Sequence, residues 1–292
     1  MKYLKWMRKN TQSLSGKTVA ISGATGGIGQ ELCKYLAQLG AELILLDRNK
    51  EKSNRLRESL VKGFPALSVR QIQLDLEDID SVKVAAEELK KLKIDVLLLN
   101  AGAYYIPRKK CKNGLDNVFQ INFLSPYFIV RELFERLQEN GGRVVAVSSI
   151  ALGYSHTDKD DVDFSCRRQS SLVYGNSKRF LTFALHELFK GRQGLSVVHP
   201  GITLTNITAH YPKAVFAIIK HPMKVIFMKP EKAALSILKG VFTDCGKNEW
   251  IGPRFFNVWG LPKKKKLTTR CESENAFIFK TAEKLYNKMK EI

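Results

Sequence analysis

Tyr174 and Lys178 stand four residues apart in Tyr174-Gly175-Asn176-Ser177-Lys178, a spacing that sets a phenol and an ammonium side by side on one face of a helix. A free tyrosine ionises near pH ~10 and is a poor base at neutrality, whereas a fixed positive charge beside it favours the phenolate and lowers that value. Such a pair is one way to build a proton-transfer catalyst. It is also a common coincidence of helical surfaces, so the elements around it must decide.

Those elements begin with a β-rich run, Lys17 to Ser22, leading into Gly23-Ala24-Thr25-Gly26-Gly27-Ile28-Gly29. A helix follows at once, with Ile28, Leu32, Tyr35, Leu36 and Leu39 at helical spacing and Gly40 as its stop. A glycine-rich turn between strand and helix brings bare backbone amides against a pyrophosphate, and the helix N-terminus adds partial positive charge. Strand, turn, helix and next strand together point to a bound dinucleotide. The next strand, Glu42 to Leu46, ends in Asp47-Arg48. A carboxylate there accepts hydrogen bonds from ribose hydroxyls and repels a 2′-phosphate, while an arginine welcomes it. Asp47 comes first, which favours NAD over NADP; Arg48 stacks on adenine, takes the phosphate or faces solvent.

Helix and strand keep alternating: helix Lys50 to Lys62, strand Ser68 to Leu74 ending at Asp75-Leu76, helix Ser81 to Leu92. The alternation predicts a parallel sheet. Ile94 to Leu99 is uniformly apolar, as a strand covered on both faces must be, and ends in Asn100-Ala101-Gly102, small enough for a cofactor to lie close. A helical pattern over Leu115 to Leu137 is interrupted at Asn122 and Pro126. Pro126 has no amide hydrogen, so the Asn122 carbonyl loses its helical partner and either holds water beside a site or is satisfied elsewhere.

Gly142 to Ser149 is a fifth strand whose carboxyl end delivers Ser148-Ser149. No G-x-S-x-G elbow surrounds Ser149, so it reads as a hydrogen-bond donor to a carbonyl oxygen rather than a nucleophile. Ala151 to Ser171 is a polar loop; its acids Asp158, Asp160, Asp161 and Asp163 lack the spacing of a calcium loop, and no metal is expected. The Tyr174 helix runs to about Lys190 with two apolar stripes, one for the sheet and one for a partner subunit. Gly194 to Val198 is a sixth strand, ending in His199-Pro200-Gly201-Ile202-Thr203-Leu204-Thr205.

Composition narrows the partners. The chain has 292 residues, 44% of them hydrophobic, and carries 48 Lys and Arg against 28 Asp and Glu, a net charge of +20. Such an excess calls for something anionic nearby: a phosphorylated cofactor, an acidic substrate or an anionic membrane face. The clusters Arg108 to Lys112 and Lys263 to Lys266 lack the interleaved aromatics of a single-strand platform, and no nucleic-acid motif is present. Five scattered cysteines without a paired motif indicate reduced thiols in a cytoplasm. No apolar run reaches the ~18 residues of a membrane span. Residues 1–14 form a basic amphipathic arm that either docks on the protein itself or touches a membrane.

Taken together, these motifs resemble the short-chain dehydrogenase/reductase family over at least residues 17 to 205. The family's T-G-x-x-x-G-x-G appears as Ser22-Gly23 to Gly29, with serine at the first position, and its N-N-A-G as Leu99-Asn100-Ala101-Gly102. The resemblance implies an α/β fold, a Rossmann-type doubly wound parallel sheet of about seven strands with helices on both faces, forming a single domain over 15–292. It implies an NAD(P)-dependent oxidoreductase with a tetrad of Asn122, Ser149, Tyr174 and Lys178. Tyr174 would move the substrate proton, Lys178 would lower its pKa and hold the nicotinamide ribose, Ser149 would bond the substrate oxygen, and the Asn122 carbonyl would seat a relay water. Asp75 with Leu76 falls at the adenine, and Pro200, Gly201, Thr203 and Thr205 at the nicotinamide. A non-catalytic dinucleotide sensor or scaffold is the rival.

The long gap between Ser149 and Tyr174, the His199-Pro200-Gly201 turn and the apolar, basic flap at about 206–229 are most similar to the retinol dehydrogenase-like branch. That implies a lipophilic alcohol or carbonyl (a steroid, retinoid or fatty derivative), peripheral contact with an anionic membrane, and a homodimer through the Leu115–Leu137 and Tyr174–Lys190 helices. Beyond the flap come a helix at Glu231 to Val241, a last strand at Glu249 to Ile251, and an extension over about 252–292 with a charged turn at Pro262 to Lys266 and a closing helix at Glu274 to Met289.

Overall fold

Short apolar runs flanked by amphipathic helices have one economical solution, a sheet buried on both faces. The computed structural model, which describes residues 3–203, 227–267 and 272–291, has that form. Its strands are β1 (Thr18–Ser22), β2 (Glu42–Asp47), β3 (Val69–Gln73), β4 (Val96–Leu99), β5 (Arg143–Val147), β6 (Leu195–Val198), β7 (Glu249–Phe255) and β8 (Trp259–Lys266), in the order β3-β2-β1-β4-β5-β6-β7-β8. All neighbours are parallel except β7 and β8.

Side chains alternate between two cores, as strand geometry requires. Leu97 and Leu99 face one, Val96 and Leu98 the other. The first core is covered by α4 (Ile79–Lys90), α5 (Asn117–Phe119) continuing into α6 (Ser125–Glu139), α7 (Ser170–Leu188) and α9 (Glu272–Glu291); the second by α1 (Leu4–Asn10), α2 (Gly27–Gln38), α3 (Lys50–Gly63) and α8 (Pro230–Val241). The N-terminal arm docks on its own chain, since Met7 and Leu14 are buried in the second core with Tyr3 and Trp6 packed beside them. Among the described residues no helix is long and apolar enough to cross a membrane.

Three expectations need correction. The segment Pro262 to Lys266 is not a turn but most of β8, an antiparallel eighth strand at the edge of the sheet. A proline and four lysines suit an edge strand, where missing amides and exposed charge cost little. The helix expected over Leu115 to Leu137 begins at Asn117, capped by Asp116, and widens to a π-turn over Gln120–Leu124 in which Ser125 N donates to Gln120 O. That wider turn absorbs Pro126 without a break. The second stripe of α7, expected to face a partner subunit, lies buried within this chain, where α9 packs against the helix: buried Arg179 donates to Glu274, Nε to Oε1 at 2.7 Å. Arg131 on α6 likewise grips Glu283 at 2.9 and 3.0 Å.

Candidate active site

The chain leaves β1 for β2 and β3 on one side, then returns to β4 on the other, and a crevice opens at the strand ends where the direction switches. It is a cavity of about 870 Å³. Its floor is the glycine turn between β1 and α2. Gly23 holds φ +67°, and a Cβ there would lie 2.9 Å from Ala101 Cα; a Cβ on Gly29 would lie 2.2 Å from Gly23 O. Only glycine fits at these points, and the bare Gly26–Gly29 backbone faces the cavity at the start of a twelve-residue helix. Ser22, standing where the family has threonine, keeps the hydroxyl: Oγ accepts from Asn100 N and Ala101 N at 3.1 Å each and donates to Leu98 O. Asn100 in turn donates to Ser22 O and Gly23 O at 3.0 Å, tying the turn to the tip of β4.

At one end of the cavity lie Asp47, Arg48, Asp75 and Leu76. The Asp47 carboxylate is 4% exposed, accepting from Thr25 N and Oγ1 at 3.1 and 3.0 Å and from Ser53 Oγ at 3.1 Å. Burial holds its carboxyl above the usual carboxylate range, against the pull of those bonds. Arg48 beside it is exposed, and Lys52 shares the wall.

At the other end, α7 and the tip of β5 bring Ser149, Tyr174 and Lys178 together. Ser149 caps a short 3-10 turn, its Oγ accepting from Ala151 N at 3.2 Å, and is hydrogen-bonded to the Tyr174 hydroxyl. Lys178 is fully buried, donates to Val147 O at 2.8 Å and lies 5.8 Å from the centre of the Tyr174 ring. Burial lowers its pKa to about 7 and pushes the Tyr174 phenol up to about 12, the Ser149 bond pulling the other way. Burial is thus the largest influence on both groups, disfavouring the phenolate and the ammonium alike. Asn122 is buried outside the cavity wall. Its side chain pins the backbone after β4, accepting from Ala103 N at 3.0 Å and donating to Ala103 O at 2.7 Å. A Cβ on Gly102 would lie 2.9 Å from Asn122 Oδ1 and 3.4 Å from Lys178 Nζ, so these groups meet at one point.

Ala101, Pro200, Gly201, Thr203 and Ile28 also line the cavity. Thr205 and the flap from 206 to 226 lie outside the described residues. Phe227, within the flap expected at about 206–229, joins an apolar wall whose other members, Tyr104, Ile106, Ile150, Tyr154 and Ile202, the sequence did not single out. Tyr104 meets Tyr174 edge-on with ring centres 5.1 Å apart. Its place two residues after Asn100-Ala101-Gly102 was the available signal. His199 is buried on Trp250, stacked at 5.6 Å, and burial lowers its pKa to about 4, so it is neutral. Among the described residues no group of His, Cys, Asp and Glu is placed to hold a metal.

Comparison with known proteins places the sequence and the fold in a family. The sequence profile of short chain dehydrogenases matches residues 17–159. The chain is 30% identical to short-chain dehydrogenase TIC 32 B, chloroplastic, of Brassica napus over 269 residues, covering 80% of this chain and 83% of that protein. It is 29% identical to retinol dehydrogenase 12 of Mus musculus, covering 94% and 85%. Among solved structures, an uncharacterised protein of Mycobacterium paratuberculosis superposes with a TM-score of 0.70 at 25% identity, over 96% of this chain and 95% of that one. The chain belongs to the short-chain dehydrogenase/reductase family of NAD(P)-dependent oxidoreductases.

Proposed function

We propose that the protein interconverts an alcohol and a carbonyl on a lipophilic substrate, with Tyr174 as the group that moves the proton. The observation that carries this is the convergence of Ser149, Tyr174 and Lys178 beside an apolar wall in a cavity that is also lined by the bare Gly26–Gly29 turn. The bare Gly26–Gly29 turn and the helix start fit a pyrophosphate, and a nicotinamide dinucleotide bound there would supply the hydride acceptor or donor. Ser149 donates a hydrogen bond to the substrate oxygen. Tyr174 takes the hydroxyl proton during oxidation and returns it during reduction. Lys178, poised near neutrality, orients groups in the buried corner it shares with Gly102. The apolar wall opposite Tyr174 excludes water and favours a steroid, retinoid or fatty chain over a sugar.

NAD is the cofactor that the order Asp47-Arg48 favours, yet the folded site supports NADP better. Asp47 spends both oxygens on Thr25 and Ser53, leaving Arg48 and Lys52 at the same wall for a 2′-phosphate. The test is to follow reduced-cofactor absorbance with NAD and NADP separately over a panel of lipophilic and hydrophilic alcohols. Turnover confined to hydrophilic alcohols would sink the substrate reading.

A further inference from the structure

The hairpin of β7 and β8 exposes large apolar side chains. Phe256 is 84% exposed, Phe255 54%, Leu261 44% and Trp259 41%. Phe255 and Trp259 are cross-strand partners, and alternation along β8 sets Trp259, Leu261 and Lys263 on one face. The tip is a tight turn closed by Val258 N on Phe255 O at 2.9 Å, with Phe256 at φ +50° and Asn257 at φ +58°. Such a turn prefers asparagine and glycine, and a phenylalanine held there is strained as well as exposed.

Charge accompanies the aromatics. Residues 254–266 carry Arg254 and Lys263 to Lys266, with no acidic residue among them. Lys264 is paired with Glu249 at 2.9 Å, and Lys265 is turned inward to Pro253 O and Asn257. Arg254, Lys263 and Lys266 are exposed. Aromatic tips flanked by lysines match a membrane interface, where rings sit at headgroup depth and cations meet anionic lipid. The N-terminal arm, by contrast, buries Met7 and Leu14 and packs Tyr3 and Trp6 against the second core.

The hairpin is rooted on the cavity wall. A Cβ on Gly201, which lines the cavity, would lie 3.0 Å from Pro253 Cγ and 3.1 Å from Val258 O. We propose that the β7–β8 hairpin docks the protein on an anionic lipid bilayer, setting the cavity beside the phase from which an apolar substrate enters. The docking stands on the hairpin alone; the delivery rests on the lipophilic-substrate reading above.

The experiment is co-sedimentation of the full chain with phosphatidylcholine vesicles, with and without phosphatidylserine. Binding is expected only with the anionic lipid, with release as salt rises from about 0.1 M to about 0.5 M. Brominated lipid should quench tryptophan emission in the wild type and much less in Trp259→Phe. The double variant Phe256→Ser, Lys263→Glu should lose about tenfold or more in vesicle affinity, while turnover of a short water-soluble alcohol is unchanged. Vesicle binding that is absent, or that survives this variant, overturns the proposal. So does a dimer that the same variant dissociates without any vesicle binding, because β8 would then be an edge for a second copy. Docking without turnover of any alcohol overturns the site reading instead and leaves the hairpin's role standing.

Discussion

Lys178 Nζ stands 5.8 Å from the centre of the Tyr174 ring and gives its 2.8 Å hydrogen bond to Val147 O, so the two share a buried corner of the cavity. Removing only the phenolic oxygen isolates proton transfer from packing. Tyr174→Phe should lower kcat by about 10²–10⁴ while the cofactor dissociation constant stays within about threefold. Titrating cofactor fluorescence beside single-turnover kinetics checks both. Retained turnover removes Tyr174 from the chemistry.

The same corner predicts a pH signature. Lys178 has its pKa lowered to about 7 by burial, against an unfolded value of 10.5. Between these values the unfolded chain holds one more proton, so stability should rise with pH through that window, by up to about 1.4 kcal/mol per pH unit. The penalty is fully present below about pH 7. Urea unfolding at pH 7 and pH 9 should show a gain in the wild type that Lys178→Met lacks. Parallel behaviour of the two proteins would mean a charged, solvated lysine.

Local motifs survived the passage from sequence to fold because each is decided within a few residues. Gly23 to Gly29 needs only its own turn, and Tyr174 and Lys178 need only one helical turn. What was hidden depends on distant partners. The four lysines after Pro262 read as a turn because nothing local shows that Glu249–Phe255 lies alongside them. The outward stripe of α7 was apolar enough for a subunit interface, and nothing near residue 179 announces that Glu274 will return to cover it. Asp47 was placed at the strand tip, but its engagement by Thr25 and Ser53 is a tertiary fact.

That engagement yields a cofactor prediction. Arg48→Leu should weaken NADP binding about tenfold, the scale of one charge-assisted hydrogen bond, and leave NAD within about twofold. Isothermal titration with each cofactor reads the ratio. An equal loss for both would assign Arg48 to adenine stacking, and no loss for either would place it in solvent.

The ion pair between α7 and α9 predicts how the scaffold fails. Arg179 is 1% exposed and its guanidinium grips Glu274, which also accepts from Thr157 Oγ1 in the loop after Ser149. Burial raises the Glu274 carboxyl, but the bonds from Arg179 and Thr157 outweigh it and hold the group below the usual carboxylate range. Its contribution is therefore present above the unfolded value of ~4.3 and is lost as pH falls through the folded one. Glu274→Gln leaves Arg179 buried without a counter-charge, at a cost of about 3 kcal/mol near neutrality. The gap between wild type and variant should narrow in acid, because protonation neutralises Glu274 in the wild type too. Unfolding followed from pH 7 down to about pH 2 measures it, and a gap unchanged over that whole range would assign the loss to packing rather than charge. Since Thr157 hangs from the same carboxylate, the variant should also raise KM, reporting that α9 steadies the loop beside the site.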